Sequence, residues 1–172
     1  MSREIPLTRG FIALVDDADY DDLSKYKWHT KKCSSGVFYA CRWHYFKRFR
    51  GDTKKRQVFM HNQIMGENPG LKVDHISRDG CDNRRVNLRW ATRSQNAINR
   101  RWSKPTKSGY RGVYWDSNAW QVMVQVNGQR KTFCRTKNLE EAARAYDEHA
   151  KRLHGEFAQL NFPENSAVQG GN

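Results

Sequence analysis

The chain has 172 residues, with 31 Lys or Arg against 18 Asp or Glu and a formal net charge of +13. That length suits one ordinary domain or two small ones, and the charge favours a polyanionic partner. No apolar run approaches the roughly 18 residues of a membrane span, and the opening Met-Ser-Arg-Glu is no signal peptide, so a cytoplasmic protein without a membrane partner is expected.

Residues 5–15 read as two short strands around Arg9-Gly10. Five aspartates follow between Asp16 and Asp22, at the start of a short helix expected near 19–27; solvation and the helix dipole account for them. Residues 28–49 alternate weakly, are rich in aromatics, and fit a hairpin turning at Ser34-Ser35-Gly36. The basic tract from Lys47 to Arg56 suits contact with a phosphate backbone. Residues 57–66 run from a strand into a short helix that carries His61, and Pro69-Gly70 is a turn signal before the next strand. The four cysteines lack C-x-x-C spacing, so no structural zinc is expected, and in a reducing compartment they are thiols.

The chain is organised around residues 73–96. Val73 leads into Asp74-His75, a polar loop spans Ser77 to Arg85, a second extended run covers Asn87-Leu88-Arg89-Trp90-Ala91, and Thr92 to Gln95 has the form of a helix-capping box. Asn96 lies about one turn into that helix. Asp74 and Asn96 offer hard oxygen ligands suited to Mg²⁺ or Mn²⁺, and His75 can take a proton from water. Adjacent strand residues diverge, so a strand end or a bulge is expected to let Asp74 and His75 reach one phosphate. From Arg84 to Lys107 there are eight Lys or Arg and no acidic residue, a run expected to hold duplex backbone.

Asp74-His75, then Asp82-Asn83-Arg84-Arg85, then Asn87-Leu88-Arg89-Trp90, then Gln95-Asn96 resembles the HNH nuclease family, in particular phage and intron-encoded homing endonucleases. The resemblance implies His75 as general base, Asp74 and Asn96 as metal ligands, and Asn87 as the residue that ties the loop and so orients the histidine. It also implies Asp82 and Asn83 as loop-holding residues. His61 stands where similar proteins carry a histidine before the motif, with Asn62 in place of the usual arginine. His61, Arg84, Arg85 and Arg89 are candidates for a supporting or phosphate-binding role.

Residues 102–107 read as a linker broken by Pro105, and a second unit begins at Ser108. A strand is expected over 111–115. In Trp120 to Val126 the residues Val122, Val124 and Val126 alternate with Gln121, Met123 and Gln125. Asn127-Gly128 turns the chain into a third strand, Gln129 to Arg135. Asn138 caps a helix whose apolar stripe is Leu139, Ala142, Ala143, Tyr146, Ala150 and Leu153, and Gly155 ends it. The expected open face of the sheet carries Arg111, Gln121, Met123, Gln125, Arg130 and Thr132 as DNA-binding candidates.

The Ser108-to-Val113 run, Trp120, Glu140 to Asp147, Gly155 and Leu160-Asn161-Phe162 resemble the plant Apetala-type (ethylene-response-factor) DNA-binding domain. The expected fold is therefore α+β: a ββα-metal nuclease module with N-terminal hairpins over 1–101 (core 73–101), then a three-stranded antiparallel sheet on one helix over 108–163, then a disordered tail over 164–172. The expected function is site-directed cleavage of double-stranded DNA by a protein more monomeric than dimeric, phage-encoded in a bacterial host. The alternative is a non-catalytic DNA-binding regulator with a vestigial nuclease motif.

Overall fold

A computed structural model describes residues 1–47, 52–100, 107–126 and 128–163. The chain divides into two compact units, Met1–Arg93 and Ser94–Asn172. The expected linker, apart from Lys107, and the expected tail lie outside the described residues, as do Asn127 and the tip of the basic tract. The chain is a mixed α/β protein of small antiparallel sheets and few helices.

The first unit opens with a two-stranded ribbon, β1 (Ser2–Pro6) and β2 (Ile12–Asp16), which turns through Arg9 and Gly10 in the left-handed region. Ile5, Ala13 and Val15 face inward. α1 spans Asp17–Leu23, ending earlier than the expected 27. Trp28 is buried and donates its indole N–H to the Leu23 carbonyl at 2.8 Å, so the aromatic seals the helix end rather than extending its stripe.

β3 (His29–Lys32), β4 (Phe38–Lys47) and β5 (Thr53–Phe59) form a three-stranded sheet in that order, with the β3–β4 hairpin at the anticipated Ser34-Ser35-Gly36 turn. α2 (Met60–Met65) follows directly and buries Met60, His61 and Ile64. β6 (Lys72–His75) and β7 (Leu88–Ala91) pair antiparallel, Asp74 opposite Arg89 and His75 opposite Leu88. One core unites Ile5, Val15, Leu23, Trp28, Met60, Val73 and Leu88. It gathers side chains from the amino-terminal ribbon, the central sheet, α2 and the β6–β7 pair, so these elements stand or fall together.

α3 (Arg93–Asn99) starts immediately after Thr92. Its far end, already part of the second unit, is held there: Arg111 donates to the Ile98 carbonyl at 3.0 Å, and Gln159 donates to Asn99 Oδ1 at 2.7 Å. The second unit is a three-stranded sheet, β8 (Val113–Asp116), β9 (Ala119–Val126) and β10 (Gln129–Thr136), with β9 in the middle and α4 (Leu139–His154) against it. Val122 and Val124 are fully buried beneath Ala142, Ala143, Tyr146 and Ala150. The small alanines allow this close approach. Asn138 accepts from the amides of Glu140 and Glu141, as a capping residue should. Leu153 departs from the expected stripe and lies exposed, because the core closes one turn earlier and the chain turns back at Gly155 through the buried Phe157.

Gly80 lies in the β6–β7 loop where that loop meets β4. A Cβ there would sit 2.4 Å from the Phe38 carbonyl oxygen and 2.6 Å from the Tyr39 ring. Gly80→Ala should therefore cost about 1–3 kcal/mol through overpacking against backbone that cannot yield. Urea unfolding of the variant beside the unaltered chain measures this; equal midpoints would contradict the close packing of loop and sheet.

Candidate active site

The β6–β7 loop is shaped by buried polar side chains. Asn87 accepts from the Ser77 amide at 2.8 Å and donates to the Asp82 carbonyl at 2.7 Å, so one amide group holds both limbs of the loop. Its own carbonyl accepts from the Ile76 amide. Asn83 is fully buried, donates to the Cys81 carbonyl at 3.1 Å and lies with Oδ1 3.5 Å from His75 Nε2. β2 grips the same segment from the other side: the Leu14 amide donates to the Cys81 carbonyl and the Leu14 carbonyl accepts from the Asn83 amide. Asp79 and Asp82 close the loop tightly, Asp79 by accepting from the Cys81 amide and Asp82 by a two-pronged pair with Arg84.

His75 is the last residue of β6 and is buried. The β6–β7 register runs unbroken through it, so no bulge turns it, and the strand end alone supplies what freedom it has. Its ring packs edge-on to Tyr39 (5.6 Å) and His61 (5.0 Å). Burial holds the His75 pKa below its ordinary value against the opposing pull of Asn83, Asp74, Asp79 and Asp82, which leaves a neutral imidazole at pH 7. Asn83 donates through its nitrogen to Cys81, so its oxygen faces His75 and selects the Nε2–H tautomer, making Nδ1 the basic nitrogen.

Asp74 is buried beside Arg89, whose Nε donates to Oδ2 at 3.0 Å with both side chains about nine-tenths enclosed. Arg89 thus fixes a carboxylate rather than waiting for a phosphate. Arg84 and Arg85 are likewise engaged by carboxylates. Arg84 is paired with Asp82, and Arg85 forms a two-pronged pair with Asp19 at 2.7 and 2.9 Å while its amide donates to Asp16. The amino-terminal aspartates therefore do more than solvate a helix: two of them receive an arginine from 66 or more positions along the chain. The one-signed run from Arg84 is, in its first three cations, neutralised from elsewhere in the fold.

The donor set suits a hard divalent ion. Asp74 offers carboxylate oxygen, whereas burial pushes the neighbouring loop thiol of Cys81 up to about 11, leaving it protonated and unfit as a ligand. Among the described residues no group of three or more His, Cys, Asp or Glu is placed to hold a metal ion by itself. Asn96 lies on α3 in the second unit.

Residues 55–98 match the HNH endonuclease family. Over 158 residues the chain is 33% identical to an uncharacterised HNH endonuclease of Acanthamoeba polyphaga mimivirus, a match covering 89% of this chain and 76% of that protein. The chain belongs to the HNH endonuclease family. It is also 29% identical over 93 residues to Protein 3.8 of Escherichia phage T7, covering 53% of this chain and 76% of that protein. No solved structure matches it significantly. Membership makes it a nuclease with DNA as its plausible substrate. The relatives are viral, and among the described residues no helix is long and apolar enough to cross a membrane.

In the second unit the exposed side of the sheet carries Gln121, Met123 and Gln125 from β9, and Arg130 and Thr132 from β10 opposite Gln125 and Met123. A bulge at Phe133 then shifts the register, so that Arg135, which period-two reading from Thr132 misses, stands opposite Gln121. Arg135 pairs with Asp116 at 2.9 Å. Arg111 departs from the expected open face: it precedes β8, hydrogen-bonds the Tyr146 side chain of α4, and reaches the Ile98 carbonyl. Its backbone is braced by Asn161, whose side chain bonds both the Arg111 amide and carbonyl.

Burial lowers the His61 pKa to about 3, with His75 adding to the effect. An unfolded chain takes up a proton near pH 6.5 that the folded chain refuses, so stability present above that pH is lost progressively as pH falls from about 6.5 toward 3. The slope is at most about 1.4 kcal/mol per pH unit for one group. His61→Phe, which keeps the stacking on Phe59, should flatten the decline of Tm between pH 7.5 and 5. Parallel curves for the two proteins would contradict a neutral, buried His61.

Proposed function

We propose that this protein is a site-directed, metal-dependent DNA endonuclease of the homing type, with the ββα-metal arrangement over 73–101 and a separate DNA-locating sheet. The observation that carries the reading is the buried His75 whose Nε2 lies 3.5 Å from Asn83 Oδ1. An imidazole held below its ordinary pKa by burial is neutral at pH 7 and can take a proton from an attacking water. Asn87 maintains the loop from which Asn83 acts. Arg89 holds the Asp74 carboxylate in place beside the base.

Asp74 is the ligand the first unit supplies to Mg²⁺ or Mn²⁺, and Asn96 is the second ligand that the family resemblance implies. When bound, such an ion stabilises charge on the phosphate and on the leaving oxygen. His75 removes the proton from water on Nδ1 and later releases it to solvent. The bond formed is water oxygen to phosphorus, and the bond broken is phosphorus to the sugar oxygen.

The second unit acts as an Apetala-type reader. A three-stranded sheet can lie in the major groove, where Gln121, Gln125 and Arg130 offer groups for base edges and Met123 and Thr132 offer apolar contact to thymine methyls. Arg135 joins this face; Arg111 serves the fold.

His75→Ala should lower nicking of supercoiled plasmid by about 10²–10⁴-fold while DNA affinity stays within twofold. Undiminished nicking would remove His75 from the chemistry, and a wild-type chain that binds duplex without ever cutting it would favour a DNA-binding regulator instead. Asp74→Asn and Asn96→Ala should each shift the Mg²⁺ titration of cleavage to higher concentration, and EDTA should abolish it. Cleavage that survives EDTA would exclude the metal-dependent reading.

A further inference from the structure

A cleft of about 760 Å³ opens in the first unit between β4, β5, α2 and β6. Its walls carry Arg42 from β4, Arg56 from β5 and Lys72 from β6, against one acidic residue, Glu67. Among the described residues none of these three cations forms an ion pair, in contrast to Arg84, Arg85 and Arg89. Arg42 is nonetheless held in place. Its Nε donates to Gln63 at 3.0 Å and its guanidinium stacks 3.9 Å from the Tyr26 ring centre, contacts that orient the charge without cancelling it. Uncompensated cations converging on a low-dielectric wall focus a positive potential.

The inner wall includes His61, whose ring lies 5.0 Å from that of His75. The residue is nine-tenths buried, and its Nδ1 is enclosed with no hydrogen-bond partner among the described residues. A polar atom left so is costly by about 1–3 kcal/mol, which is characteristic of a group whose partner comes from outside the chain. The cleft is thus one side chain, His61, removed from the candidate base, and it carries three cations along its walls. Phe59 and Trp90 line it as well, giving flat apolar surface beside the charges.

We infer that this cleft seats the sugar-phosphate backbone of the DNA strand being cut, with Arg42, Arg56 and Lys72 neutralising phosphates beside the scissile one and His61, as its Nδ1–H tautomer, donating to the nearest of them. The inference rests on the nuclease reading for the identity of the strand, whereas the anion site itself rests on the unpaired cations. His61 is a positioning residue here; it holds the strand and moves no proton.

Binding is measured by fluorescence anisotropy on a labelled duplex, using the full chain with His75→Ala in EDTA so that cutting is absent. Each phosphate contact contributes about 0.9 to the slope of log K against log salt. Arg56→Gln with Lys72→Gln should reduce that slope by about 1.8 and raise Kd at least tenfold at 100 mM KCl. Arg56→Lys with Lys72→Arg should restore both, and Lys27→Gln, outside the cleft, should change Kd less than twofold. His61→Phe, a neutral replacement, should leave the slope alone but erase one phosphate from the ethylation-interference pattern next to the cut. An unchanged slope in the folded double glutamine variant, verified by its thermal melt, would overturn the inference. If the wild-type chain cuts DNA in Mg²⁺ and the slope is unchanged, the nuclease reading stands and the cleft assignment falls. If the slope drops but no preparation cuts, the cleft is an anion seat and the nuclease reading falls.

Discussion

Two asparagine amides buried in one loop are the constraint on which the site depends. A twelve-residue connection between two four-residue strands has too little regular hydrogen bonding of its own to define one shape, and a buried loop must find partners for its peptide groups. Asn87 answers both limbs at once, and Asn83 answers the turn and the histidine. The chemistry of His75 follows from this support. Low solvent access makes the ring neutral, and a fixed acceptor at Nε2 decides which nitrogen is basic. Neither effect belongs to the histidine alone.

The charge of +13 is distributed in two physically different ways. Arg84, Arg85 and Arg89 are paired with Asp82, Asp19 and Asp74, and they fasten the β6–β7 loop, α1 and β6. Arg42, Arg56 and Lys72 lack carboxylate partners among the described residues and line a cavity. Exposed pairs contribute little each, yet the enclosed Arg89–Asp74 pair is different: loss of either partner strands a charge out of water. Counting basic residues along the sequence cannot separate these two groups, because the aspartate that neutralises Arg85 lies 66 positions earlier.

What could be read from sequence was what local chemistry decides. The Ser34-Ser35-Gly36 turn, the alternation of Val122 and Val124, the cap at Asn138 and the stop at Gly155 all rest on neighbours within a few residues, and all appear as expected. The loop-tying part of Asn87 and the loop-holding part of Asn83 were legible only through the resemblance to the HNH family. What stayed hidden was non-local. Tyr39 and His61 reach His75 from separate elements, Leu14 grips the loop from a distant strand, and Arg111 is drawn away from the sheet face by Tyr146 and Ile98. The bulge at Phe133 left no mark in the alternation pattern, and it is what brings Arg135 opposite Gln121 on the exposed side of the sheet.

The grip of β2 on the loop has a bearing on evolution and on engineering. The segment that carries the family signature, residues 55–98, is not a freestanding piece of protein. Leu14 supplies backbone bonds to its loop, Asp16 and Asp19 anchor Arg85, and Phe38 and Tyr39 form the floor on which Gly80 rests. Transplanting the signature into another scaffold would carry the motif's side chains but leave behind the struts that hold them in place. The limits of recognisable kinship and the limits of mechanical autonomy thus fall at different places in this polypeptide.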